Sequence, residues 1–157
     1  MIPAMAKKKD PIDARKILNQ GYHFAKANLA PRSMKPAKEI ASPSMVLSAF
    51  AIELLLKCIL VIENGDAPET HRLNVLFRRV SHKTKRRIEA LWDEKARQRI
   101  APFCKAEGLP HDLPNAFVKC ATAFERIRYI HEGAAGVAFY LGDLPKLLIQ
   151  VIGELRP

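Results

Sequence analysis

Aromatic residues make up only 7% of this 157-residue chain, with a single tryptophan. They are not interleaved with its basic stretch, which speaks against a single-strand stacking platform. Cysteine is scarce. Three of them, an odd number with no C-x-x-C, exclude a disulfide framework and point to a reducing compartment. Neither G-x-x-x-x-G-K-[ST] nor G-x-G-x-x-G occurs, which argues against a nucleoside-triphosphate engine. No continuous apolar segment follows Lys7, Lys8 and Lys9, so no secretory signal is read there. Alternating strand patterns are nearly absent. Acidic residues are the minority sign, 16 against 26 Lys+Arg, and the balance is +10. An anionic partner, nucleic acid first, is therefore electrostatically plausible. With 48% apolar and 27% charged residues, the chain has the composition of one globular domain.

Helix signals run along the whole length. Asp10-Pro11 reads as an N-cap followed by proline in the first turn of a helix reaching about Leu29. Residues 30–42, with Pro31 and Pro36 and no period, read as a loop. Ser42-Pro43 opens a second helix to about Glu63, stopped by Gly65. Leu47, Phe50, Leu54, Cys58 and Val61 recur at helical spacing, and Ile52, Leu55, Leu56 and Ile59 make it apolar on most sides. That is the pattern of a helix in the middle of a bundle. Residues 45–62 are also the one candidate for a membrane span. Glu53 and Lys57 lie inside it, at roughly 2.5–3.5 kcal/mol each at a bilayer centre, and favour the buried-helix reading.

Thr70 is expected to cap a third helix bearing Leu73, Leu76, Phe77 and Val80. Ser81 is expected to cap a fourth, whose stripe is Ile88, Leu91, Trp92, Ile100 and Phe103, ending at Gly108. A fifth is expected from Leu113-Pro114 to about Glu132. A sixth follows Gly142-Asp143, with Pro145 in its first turn. The expected architecture is a single-domain, all-α, up-down bundle of five to six helices over residues 10–157, preceded by a basic tail at 1–9.

On the fifth helix, Phe117, Cys120, Ala121, Phe124 and Ile127 share a face, and Arg128 and His131 fall on it. A guanidinium or imidazole among apolar neighbours needs a partner. Glu53 is the first candidate carboxylate and Glu132 the second. Alternatively both cations emerge into solvent at the helix end. Glu53 and Lys57 also read as an i, i+4 pair on an exposed strip, worth roughly 0.2–0.5 kcal/mol.

Three phrases resemble the HEPN family of helical domains found in prokaryotic toxin–antitoxin and defence systems. They are Ala49-Phe50-Ala51-Ile52-Glu53-Leu54-Leu55-Leu56-Lys57, His71-Arg72-Leu73-Asn74-Val75-Leu76-Phe77, and Phe124-Glu125-Arg126-Ile127-Arg128-Tyr129. They are similar, in order, to the family's A-F-x-x-E-L-x-L-K helix, its H-x-L-x-x-L-F segment and the F-x-x-x-R-Y of its late core helix. The resemblance spans residues 22–148. It implies a homodimer and, in many members, metal-independent RNA cleavage by R-x(4–6)-H helices facing each other across the two-fold; the cytoplasmic location expected for the chain comes from its cysteine usage and composition. It also implies a cognate antitoxin or nucleotidyltransferase-type partner.

The matching spacing here is Arg126 to His131. A regular helix sets those two about 140° apart, and sets Arg128 about 60° from His131. The catalytic set implied by the resemblance is thus His131 as acid–base group with Arg128 or Arg126 on the phosphate, supported by Glu53, Lys57, Tyr129 and Glu132. Histidine and arginine suit a reaction in which the 2′-OH attacks its own phosphate, needing a near-neutral base and a fixed cation. The alternative is a non-catalytic module that binds nucleotide, nucleic acid or a cognate protein.

The densest positive run is Arg78, Arg79, Lys83, Lys85, Arg86 and Arg87, at the junction of the third and fourth helices. It reads as a nucleic-acid-binding surface or as a solvated face. A helix-turn-helix is the sharper version, against which Val80-Ser81 leaves almost no turn and no glycine. His71 is expected to satisfy a helix terminus or to pack. His23, His82 and His111 show no ligand spacing, and no metal or cofactor is expected. Cys58 and Cys120 read as small core hydrophobes.

Overall fold

The computed structural model describes residues 12–32, 41–121 and 139–155, and among these every regular element is a helix. Seven are named here: α1 (Ala14–Arg32), α2 (Ala41–Asn64), α3 (Leu73–Arg79), α4 (His82–Trp92), α5 (Gln98–Ala106), α6 (Leu113–Lys119) and α7 (Leu144–Leu155). A π-helical turn, Asp93–Arg97, joins α4 to α5 without a break. The all-α bundle expected from the sequence is the architecture observed.

α2 is the axis of the bundle. It packs against α1, α3 and α7, while α4 packs on α7 and α3 on α6. Ile52, Leu55, Leu56 and Ile59 are fully buried, joined in one core by Leu76, Ile88, Trp92, Phe117, Leu148 and Ile152. Full burial of one such side chain contributes roughly 1.5–3 kcal/mol. A helix apolar nearly all round is explained by this position: partners cover it on several sides. Ser44–Asn64 is also the one described stretch long and apolar enough to cross a membrane, and 61% of its 18-residue apolar window is buried within the protein.

The helix ends show which local signals prevailed. Asp10 lies outside the described residues, and Asp13 caps α1. Its carboxylate accepts from the Arg15 N–H at 2.9 Å, and its carbonyl from the Lys16 and Ile17 N–H groups. α1 runs on to Arg32, past the end expected near Leu29, and takes Pro31 into its last turn. α2 stops where expected, at Gly65, whose φ of 78° a residue with a Cβ adopts at a cost. The cap expected from Thr70 is displaced. Arg72 is the N-cap of α3 without a side-chain bond, and Thr70 Oγ1 accepts from the Arg72 N–H at 3.2 Å. Ser81 caps α4 as expected, accepting from the Thr84 N–H at 3.3 Å.

Two departures matter more. The apolar stripe of α4 was expected to continue through Phe103, but Phe103 is 52% exposed and Cys104 is buried in its place. The π turn inserts one residue into the helical register, so every position beyond it moves round by about one residue. Secondly, the helix expected over residues 113–132 ends at Lys119. Cys120 is its C-cap, and the Ala121 N–H bonds the Val118 carbonyl at 3.3 Å, the i→i+3 tightening of a last turn. Regular helical spacing from Phe117 therefore cannot be carried across Cys120–Ala121 to Arg128 and His131.

Candidate functional site

Glu53 sits in the middle of α2, its side chain only 6% exposed. Its Oε1 accepts from Lys57 Nζ at 2.8 Å, one turn along the same helix, and lies 2.9 Å from His71 Nδ1, delivered by the segment before α3. The expectation of a pair on an exposed strip is corrected here: Lys57 is 19% exposed and the carboxylate is buried. A buried carboxylate is tolerated only with such partners. His71 is bound to it while remaining 62% exposed. A carboxylate fixing one imidazole nitrogen sets ring orientation, as acid–base sites do, and it also ties the α2–α3 connection to the core.

The basic run is shaped by a second carboxylate. Glu63, near the end of α2, accepts from the Ser81 N–H at 2.9 Å, from the Ser81 hydroxyl at 2.7 Å, and from the Thr84 hydroxyl. Partial burial by itself would raise its pKa, but the bonds from Thr84 and Ser81 prevail and hold it below the usual glutamate value. This clamp fixes the Val80–Ser81 corner, and with it the relation of Arg78 and Arg79, ending α3, to the cations of α4. Arg87 leaves the group: its guanidinium forks onto Glu154 of α7 at 2.8 and 2.7 Å. Those bonds hold the Glu154 carboxyl down at about 2. Among the described residues, no carboxylate pairs with Arg78, Arg79, Lys83, Lys85 or Arg86. Lys85 Nζ donates to the Arg78 carbonyl at 3.2 Å, bridging the corner.

Three of these cations line a groove of about 520 Å³ between α3, α4 and α6. Arg78, Lys85 and Arg86 are among its lining residues, as are Pro114 and Val118 of α6. Phe77 and Phe117 also line it, stacked with centroids 4.5 Å apart and buried. Asn74 lines the groove as well. Its Oδ1 is buried with no hydrogen-bond partner among the described residues, a state costing roughly 1–3 kcal/mol.

Arg126, Arg128, Tyr129, His131 and Glu132 lie outside the described residues, and so does any bond from Glu53 to Arg128 or His131. Of the residues singled out in the sequence, the structure brings together Glu53 with Lys57 and His71, and Arg78 with Lys85 and Arg86. It turns Arg87 away to Glu154. What sequence reasoning missed is the Glu53–His71 bond and the α6 wall of the groove. The only hint of the first was that the A-F-x-x-E-L and H-x-L-x-x-L-F phrases occur as neighbours. Cys58 and Cys120 are buried, as expected of core thiols, and burial pushes the Cys120 thiol up to about 11. Among the described residues no three His, Cys, Asp or Glu side chains form a metal-binding group. No family model, curated protein or solved structure matches the chain.

Proposed function

We propose that this is a cytoplasmic, HEPN-like RNA-handling protein that meets RNA through the α3–α4 corner. The observation that carries the reading is that corner itself. Five cations are held there without a carboxylate partner among the described residues, in a chain of net charge +10. Phosphate contacts of this kind supply sequence-independent affinity that falls steeply with salt. The sixth cation of the run, Arg87, is already neutralised by Glu154 and contributes less.

In its catalytic form the reading adds a homodimer in which His131 serves as acid–base group and Arg128 or Arg126 holds the phosphate, without metal. A cognate antitoxin or nucleotidyltransferase-type protein is the partner this form requires. Incubating structured RNA with the purified protein in EDTA tests it: the wild type cleaves and His131→Ala does not. Equal activity, or equal inertness, of the two proteins removes cleavage. RNA binding is tested separately, by the salt dependence of affinity in the wild type and in Arg86→Glu. An affinity that is indifferent to salt and to the substitution removes RNA binding through this corner and leaves it a solvated face.

A further inference from the structure

The groove between α3, α4 and α6 has two unlike walls. On α4, His82, Lys85, Arg86 and Glu89 recur at i, i+3, i+4 and i+7, so one stripe of the helix lines it. The stripe is cationic over the first two turns, where the helix dipole also places positive potential. It ends in a carboxylate. On the α6 side, Pro114 is exposed and Val118 is 62% exposed, both apolar. Asn74 adds an amide whose oxygen has no hydrogen-bond donor among the described residues.

A ligand that satisfies both walls carries an anion at one end and a flat, largely apolar body with hydrogen-bonding edges at the other. A volume of about 520 Å³ is in the range of small-molecule sites. Arg79 and Lys83 are exposed and, unlike Arg78 and Arg86, Arg79 is not part of the groove lining. The positive track thus extends past the groove, further than a single phosphate needs. A continuing strand uses it; a free nucleotide leaves it idle.

We propose that this groove seats one unpaired nucleotide of an RNA strand, its phosphate on Arg78 and Arg86 and its base between Pro114, Val118 and the Asn74 amide. Rotation of that amide about χ2 presents the oxygen to a donor on the base edge. Glu89, at the far end of the stripe, disfavours a second phosphate there. Duplex RNA cannot enter in this way, since its bases are stacked and paired. The inference rests on the RNA reading above and narrows it to single strands.

The test compares a short labelled oligouridine, the oligo(A)·oligo(U) duplex and free UMP by fluorescence anisotropy and competition. Wild type is expected to favour the single strand over the duplex by roughly tenfold. UMP is expected to compete only weakly. Val118→Trp fills the groove at an exposed position without changing charge, and is expected to abolish that preference while leaving duplex affinity and its salt slope unchanged. In the wild type, the single strand shifts the backbone amide resonances of Asn74, Asn115 and Val118. Equal binding of strand and duplex overturns the proposal, as does a Val118→Trp protein that keeps the preference, or absence of shifts at those amides. UMP competing as well as the strand replaces the strand with a free nucleotide. If neither form of RNA binds, the RNA reading falls and this inference with it.

Discussion

Glu53 and His71 are eighteen positions apart in the chain and 2.9 Å apart in space, a buried carboxylate of the central helix holding an imidazole at the surface. The bond fastens the start of α3 to α2, and α3 supplies Asn74, Phe77 and Arg78 to the groove. Stability and the geometry of the basic corner are thus linked through one side chain.

Glu53→Ala leaves Lys57 partly buried without its carboxylate and His71 without its anchor. It is expected to lower stability by about 1–3 kcal/mol, read as a shift of the urea midpoint at unchanged m-value. His71→Ala, at an exposed position, is expected to cost less. A Glu53→Ala midpoint equal to that of the wild type would mean that the network contributes nothing to stability.

Arg86 and Arg87 are neighbours in sequence with different fates. Arg86→Glu is expected to weaken RNA binding and reduce the slope of log affinity against log salt by about one to two. Arg87→Glu sets a carboxylate against Glu154, so it is expected to lower the melting temperature more and RNA affinity less. The opposite order in either measurement contradicts the division of the basic run.

The Glu63 clamp has a pH signature. Its pKa is held below the usual 4.5 in the folded chain by hydrogen bonds from Thr84 and Ser81 that outweigh burial. The sign follows from proton uptake. The unfolded state binds the proton first as pH falls, so the contribution is complete above the unfolded value and is lost as pH drops through the lower folded one. Glu63→Gln is expected to be less stable than wild type at neutral pH, with the gap closing in that acid window. Ser81→Ala removes the cap and one of the three hydrogen bonds to Glu63, the backbone N–H bond being kept, and is expected to cost about 1 kcal/mol.

Gly21 is buried in α1 where it crosses α2. A Cβ there would meet Leu55 Cγ and Cδ2 at 3.1 Å and Leu54 Cβ at 3.3 Å. Gly21→Val is therefore expected to push the two helices apart and destabilise by about 1–3 kcal/mol, despite valine's better helix propensity. Thermal unfolding of the variant checks this, and a melting temperature at or above wild type would contradict so close a crossing.

Periodicity and punctuation made most of the helices readable in advance. The stripe of α2, the serine cap at position 81, the glycine stop at 65 and the proline in the first turn of α7 are local signals, and local physics honoured them. Boundaries failed where a neighbouring interaction competed. Thr70 turned its hydroxyl to Arg72, and the α6 helix closed at Lys119 rather than running on to residue 132. The shift of the buried position from Phe103 to Cys104 was not legible either, because a π turn carries no periodic signal of its own and shows itself only by what it buries.

The sequence by itself determined the helical class, the central place of α2, and a surplus of positive charge crowded at one helix junction. Those follow from side-chain period and from counting, and neither depends on what lies opposite. Tertiary structure decided which charges have partners: it buried Glu53 against Lys57 and His71, gave Arg87 to Glu154, and set Glu63 under the corner. It also brought Pro114 and Val118 to the same groove as Arg78 and Arg86. Charge and apolar surface come from distant parts of the chain there, and only packing brings distant residues into one site.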